Sequence, residues 1–142
     1  MHEEVRRMAP EAEFYTAERC FINELLNIDA DPDASIARAR VPPGVTTRWH
    51  RLRGTTERYV LLSGNGRVEA GNLPAQDVSA GDVVLIPPGL RQRITNSGVE
   101  DLIFLVVCTP RFRPDNYEDI DPESMQTDRR CKDILDERGR RR

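Results

Sequence analysis

Between residues 30 and 110 the chain is broken by turn signals roughly every eight to twelve residues. They include DADPD (29–33), PPG (42–44), GTT (54–56), GNG (64–66), PPG (87–89) and NSG (96–98). Helices need longer uninterrupted stretches than such spacing leaves, whereas strands of five or six residues fit between the breaks. The intervening segments are rich in β-branched and aromatic residues, as in VTTRWHRL (45–52), or are short apolar runs, as in DVVLIPPG (82–89) and DLIFLVVCTP (101–110). About eight short strands with no helix among them predict an all-β domain, a sandwich or a small barrel. GNG with RVEAG (67–71) reads as a tight turn and its return strand, and LRQRITNSG (90–98) with DLIFLVVCTP as a second hairpin.

The chain has 142 residues, enough for one domain with a substantial core and too few for two ordinary ones. Residues 1–19 read as a polar N-terminal arm, 20–112 as the barrel and 113–142 as a charged C-terminal extension. CFINELLN (20–27) is the first apolar run and fits either a short strand or a helical turn. In the extension, Asp121-Pro122 is a candidate helix cap, Ile134 and Leu135 offer a narrow apolar stripe, and RGRRR ends as a solvated tail.

A net charge of −3 gives no basic field for nucleic acid. No apolar run approaches the roughly 18 residues of a membrane span. Without a secretory pattern at the N-terminus, a cytoplasmic location is the default expectation. Cys20, Cys108 and Cys131 are odd in number and widely spaced, which argues against a disulfide framework or a cysteine zinc site.

Two blocks of the sequence resemble the paired motifs of the cupin superfamily. The first is carried by Gly44, His50, Leu52, Glu57 and Gly64, the second by Gly81, Pro87, Gly89, Gln92 and Asn96. The resemblance spans roughly residues 22 to 112 and implies a double-stranded β-helix, a jelly-roll-like barrel around a central pocket. It also implies a homodimer, with CFINELLN contributing to the interface. The family's usual metal site uses three histidines and a glutamate; here Leu52 and Gln92 stand at two of the histidine positions.

Strand alternation sketches the pocket independently of the family. With His50 inward, Arg48 and Leu52 follow it, and Trp49 and Arg51 face out. Glu57, Tyr59 and Leu61 share one face; Gln92, Ile94 and Asn96 share another, with Arg91 and Arg93 outward. Asn96 reads as a turn stabiliser. Arg38 and Arg40 are either solvated or lining, depending on the phase of SIARARV (35–41), and Glu18 and Arg19 have no role beyond the surface.

Three readings of the pocket stand open. His50, Glu57 and Gln92 could ligate one divalent ion with incomplete ligation, serving a dioxygenase, isomerase or lyase. Alternatively, a metal-free pocket binds a small polar or anionic compound, with Arg48, Tyr59 and Gln92 as ligand contacts. His50, Glu57 and Tyr59 are then the candidate catalytic residues for acid–base chemistry. The third reading is a non-catalytic structural or sensing module in which His50 and Glu57 merely satisfy one another.

Overall fold

The computed structural model describes residues 1–123. Cys131, Ile134, Leu135 and the RGRRR end therefore lie outside the described residues. Eleven strands form two antiparallel sheets that face each other. They are β1 (Phe14–Tyr15), β2 (Phe21–Leu26), β3 (Ser35–Val41), β4 (His50–Leu52), β5 (Thr56–Ser63), β6 (Asn65–Ala70), β7 (Gln76–Ser79), β8 (Val83–Ile86), β9 (Gln92–Asn96), β10 (Leu102–Thr109) and β11 (Tyr117–Asp119). One sheet has the order β1-β2-β3-β10-β5-β8, the other β11-β4-β9-β6-β7. Single 3-10 turns at Pro10–Ala12 and Pro114–Asn116 are the helical elements that flank this all-β body.

The expected hairpins are corrected by this topology. β5 belongs to the six-stranded sheet and β6 to the five-stranded one, where β6 pairs with β7 and β9. The chain therefore crosses between sheets at Gly64 instead of doubling back. Likewise β9 and β10 lie in different sheets. A turn signal looks the same whether a chain reverses within a sheet or rounds the corner of a jelly roll. The Gly64 corner is tight: its φ is +87°, and a Cβ there would sit 2.6 Å from the Asp101 carbonyl oxygen. Asn96 holds the other corner as expected, its Nδ2 donating to Val41 O and Glu100 O while its Oδ1 accepts from the Gly98 N–H.

The sheets also take in residues on either side of the expected 20–112 barrel. Phe14–Tyr15 pairs with Phe21–Ile22, so CFINELLN is a strand, and Tyr117–Asp119 pairs with β4. In the C-terminal segment, the Glu123 N–H donates to Asp121 Oδ1, the capping bond expected of Asp121-Pro122.

Between the sheets, Leu61, Ile86, Ile94, Leu102 and Val41 are almost wholly buried, packed with Tyr59, Phe104 and Val68. Burying each large aliphatic side chain is worth about 1.5–3 kcal/mol, so this cluster supplies much of the drive for closure. Ala39 and Val41 face that core, which sends Arg38 and Arg40 outward. They are not simply solvated, because Glu13 from the N-terminal segment pairs with both, at 3.4 and 2.5 Å. Those guanidinium groups hold the Glu13 carboxyl below its usual range, the bond from Arg40 foremost.

Candidate functional site

The site lies at one end of the barrel, where packing side chains give way to a cavity of about 170 Å³. Five strands build its inner wall: Ser35, Ala37 and Ala39 come from β3, His50 and Leu52 from β4, Glu57 and Tyr59 from β5, Ile94 from β9, and Phe104 and Cys108 from β10. The N-terminal hairpin closes it. The turn between β1 and β2 is fixed by the Thr16 N–H donating to Cys20 O and the Arg19 N–H donating to Thr16 O. Arg19 accordingly takes a left-handed φ of 73°. That turn sets Glu18 against the cavity, with its Oε2 3.9 Å from His50 Nε2.

His50 is 3% exposed and its ring stacks on Tyr117, with centroids 5.5 Å apart. Its Nδ1 lies 2.8 Å from the Arg48 carbonyl oxygen. A carbonyl only accepts, so Nδ1 carries a proton, and Nε2 is the nitrogen that faces Glu18 and the cavity. Glu57 is also buried; its Oε2 lies 3.9 Å from the Cys108 thiol, and its Oε1 has no hydrogen-bond partner among the described residues. Burial pushes the Glu57 carboxyl up to about 7, with His50 pulling it down and Glu18 adding to the rise. Burial likewise pushes the Cys20 and Cys108 thiols up to about 12, so neither is a thiolate nucleophile at neutral pH.

The structure brings together His50, Glu57 and Tyr59 around one cavity and leaves two expected contacts outside it. Arg48 does not line the cavity; it is half-buried, and its guanidinium lies 3.7 Å from Asp119. The strand alternation that placed it inward does not apply, because regular strand begins only at His50. The buried residue upstream is Thr47, whose Oγ1 accepts the Ile94 N–H. Gln92 is buried behind Tyr59, whose hydroxyl donates to Gln92 Oε1. Leu61 sits in the packed core and not in the cavity wall. Arg91 and Arg93 face outward and lie over the Trp49 ring.

Sequence reasoning missed Glu18 and Tyr117. The sequence pattern places Glu18 at the surface, yet it is the carboxylate beside His50. A readable signal existed in FYTAERCFI (14–22), two apolar pairs about a polar five-residue turn, which is a hairpin pattern. Tyr117 stood in a segment with no strand signature.

A metal centre of the family's usual composition does not fit these donors. Leu52 replaces one imidazole, Gln92 replaces another, and Gln92 Oε1 already accepts the Tyr59 hydroxyl. Among the described residues, no group of three or more His, Cys, Asp or Glu side chains is arranged to hold an ion.

Eleven strands among the described residues, in two facing sheets with a pocket between them, make a double-stranded β-helix. Residues 37–108 match the Cupin domain family, half of the chain, and the chain belongs to that family. An uncharacterized protein of Methanocaldococcus jannaschii is 33% identical over 107 residues, covering 74% of this chain and 85% of that one. An oxalate-binding protein of Thermotoga maritima is 38% identical over 71 residues, 50% of this chain and 58% of its own length. Among solved structures, the nucleoside dehydratase Pac13 of Streptomyces superposes with a TM-score of 0.67 at 18% identity, covering 83% of this chain and 92% of that one. That last likeness is one of fold. No helix among the described residues is long and apolar enough to cross a membrane.

Proposed function

We propose that this cupin binds a small molecule of about one ring in size and transfers a proton to or from it without a metal. The observation that carries the reading is the pairing of a tautomer-fixed imidazole with a buried carboxyl whose Oε1 makes no well-formed hydrogen bond among the described residues, both on one cavity. His50 Nε2 is the base, and Glu57, which burial keeps partly protonated near neutral pH, is the acid. Tyr59 and Gln92 form the buried bond that fixes the wall beside them. The volume sets the scale, since cavities near 150 Å³ accept a benzene ring. The Pac13 relative, a dehydratase on the same fold, is consistent with proton-transfer chemistry in such a barrel.

The anionic part of the sequence expectation loses its support, because Arg48 points elsewhere and no arginine or lysine among the described residues lines the cavity. The oxalate-binding relative favours one second reading, in which a dicarboxylate enters together with a divalent cation that offsets Glu18 and Glu57. Two measurements separate the readings. A library of single-ring fragments is screened by NMR, following the imidazole resonances of His50. Fragments that shift those resonances support the first reading, and a library with no such member ends it. Protein purified without a nickel column is then assayed for metal. Near-stoichiometric divalent metal, with stabilisation by oxalate only in its presence, would move the case to the second reading.

A further inference from the structure

We infer that the ligand of this cavity is a small organic cation, an ammonium group carried on a ring or short alkyl body. This rests on the reading that the cavity binds a small molecule at all. Three carboxyl groups line it, Glu18, Glu24 and Glu57, against one imidazole and, among the described residues, no arginine or lysine. Glu57 holds its proton part of the time near pH 7, and against the remaining carboxyls stands at most one cation, a protonated His50, so the wall favours positive charge over negative. Glu24 is exposed and simply solvated, but Glu57 is buried. Glu57 lines the cavity and is 6% exposed; Tyr59 and Gln92 lie close enough to its carboxyl to hold it down, yet its Oε1 makes no well-formed hydrogen bond among the described residues. A buried acceptor left without a donor costs stability, and an N–H from a ligand satisfies it whether or not the carboxyl holds its proton. Glu18 sits across from it, beside His50 Nε2 and only partly exposed.

The rest of the lining supports the same class. Five aromatic rings besides the imidazole surround the space: Phe14, Tyr59, Phe104, Phe112 and Tyr117. Aromatic faces attract ammonium groups within about 6 Å and also bury the apolar body that carries them. An anion meets the opposite on both counts, repelled by the carboxylates and by the faces of the rings.

The probes are three compounds of nearly one shape: benzylamine as the cation, benzyl alcohol as the neutral isostere and benzoate as the anion. Affinities of the full chain are measured by titration calorimetry at pH 7. Benzylamine is expected to bind at least tenfold more tightly than benzyl alcohol, with benzoate weakest. Glu57→Gln and, separately, Glu18→Gln should each reduce the preference for benzylamine over benzyl alcohol several-fold, while benzyl alcohol still binds. Circular dichroism establishes that each variant is folded; if Glu57→Gln is not, the rim variant Glu18→Gln carries the test. Binding of benzoate as tight as that of benzylamine overturns the inference while leaving the small-molecule reading intact. Failure of all three compounds to bind overturns both.

Discussion

The two sheets present similar faces to the core and very different faces to solvent. On the outside of the five-stranded sheet, Glu118 bridges Arg51 and Arg53, Arg93 pairs with Glu69, and Arg67 pairs with Asp77. Trp49 lies under Arg91 and Arg93. The matching face of the six-stranded sheet is apolar on its β5 and β8 side: Val83 and Leu85 are each 61% exposed and Leu62 is 47% exposed. Register sets Val60 beside Val83 on one flank and Leu105 on the other, continuing that patch across three strands. The sequence carries the same difference. QRITN alternates, as a strand with one wet face does, whereas DVVLI and DLIFLVV are unbroken apolar runs of the kind found in strands covered on both sides. One sheet is finished with charge pairs, and the other leaves an apolar patch exposed beside Arg58.

The largest way to break the comparison is at the shared interior. Replacing Leu61, 1% exposed, with alanine should cost about 2–5 kcal/mol, read as a lowered urea midpoint. Ile94→Ala, from the opposite sheet and equally buried, should cost a similar amount, because the two inner faces are one core. A loss below about 1 kcal/mol at either position means that the sheets are not equal partners inside.

The next test addresses the outer faces. A second copy of the chain is the cover we expect for the Val83–Leu85 patch, since exposed apolar patches of this kind mark association sites. Light scattering should give twice the mass of one chain, and Leu85→Arg should return it to a monomer. A monomeric parent protein refutes this.

The interior also has a pH signature that the ion-paired surface lacks. Glu57 titrates near 7 when folded, against 4.5 as the ordinary value, so the folded chain holds a proton that the unfolded chain releases. This contribution to stability is complete below about 4.5 and is lost as pH rises through 7. Between pH 5 and 7.5, Glu57→Gln should flatten the decline in the urea midpoint; an unchanged slope refutes the assignment. The carboxyls held down by arginine, Glu13 and Glu118, act in the other direction and only at lower pH. The smallest effect belongs to the exposed Arg67–Asp77 pair. Arg67→Ala should change stability by less than about 1 kcal/mol, and less still in high salt.

Much of this was legible before any coordinates. The faces Glu57-Tyr59-Leu61 and Gln92-Ile94-Asn96 follow from a two-residue period inside regular strands, and they are buried as that period requires. Arg48 was misplaced because the period was extended two residues beyond the start of β4. The hairpins were misread because a turn's chemistry does not say which sheet its exit strand joins. Glu18 was not visible because its place depends on contacts distant in sequence. Its backbone carbonyl accepts the Arg48 N–H, and its side chain reaches His50 on another strand.

The N-terminal hairpin has a consequence for how the cavity is reached. β1 pairs with β2 through only two residue pairs, and no strand pairs with its outer edge. An edge strand held by so few pairs can open locally, well short of global unfolding. Glu18 sits on this hairpin, so displacing the hairpin would take Glu18 away and open His50 and Glu57 to water. A segment that reads, in the sequence, as an arm is thus one wall of the cavity, held to its neighbouring strand by two residue pairs.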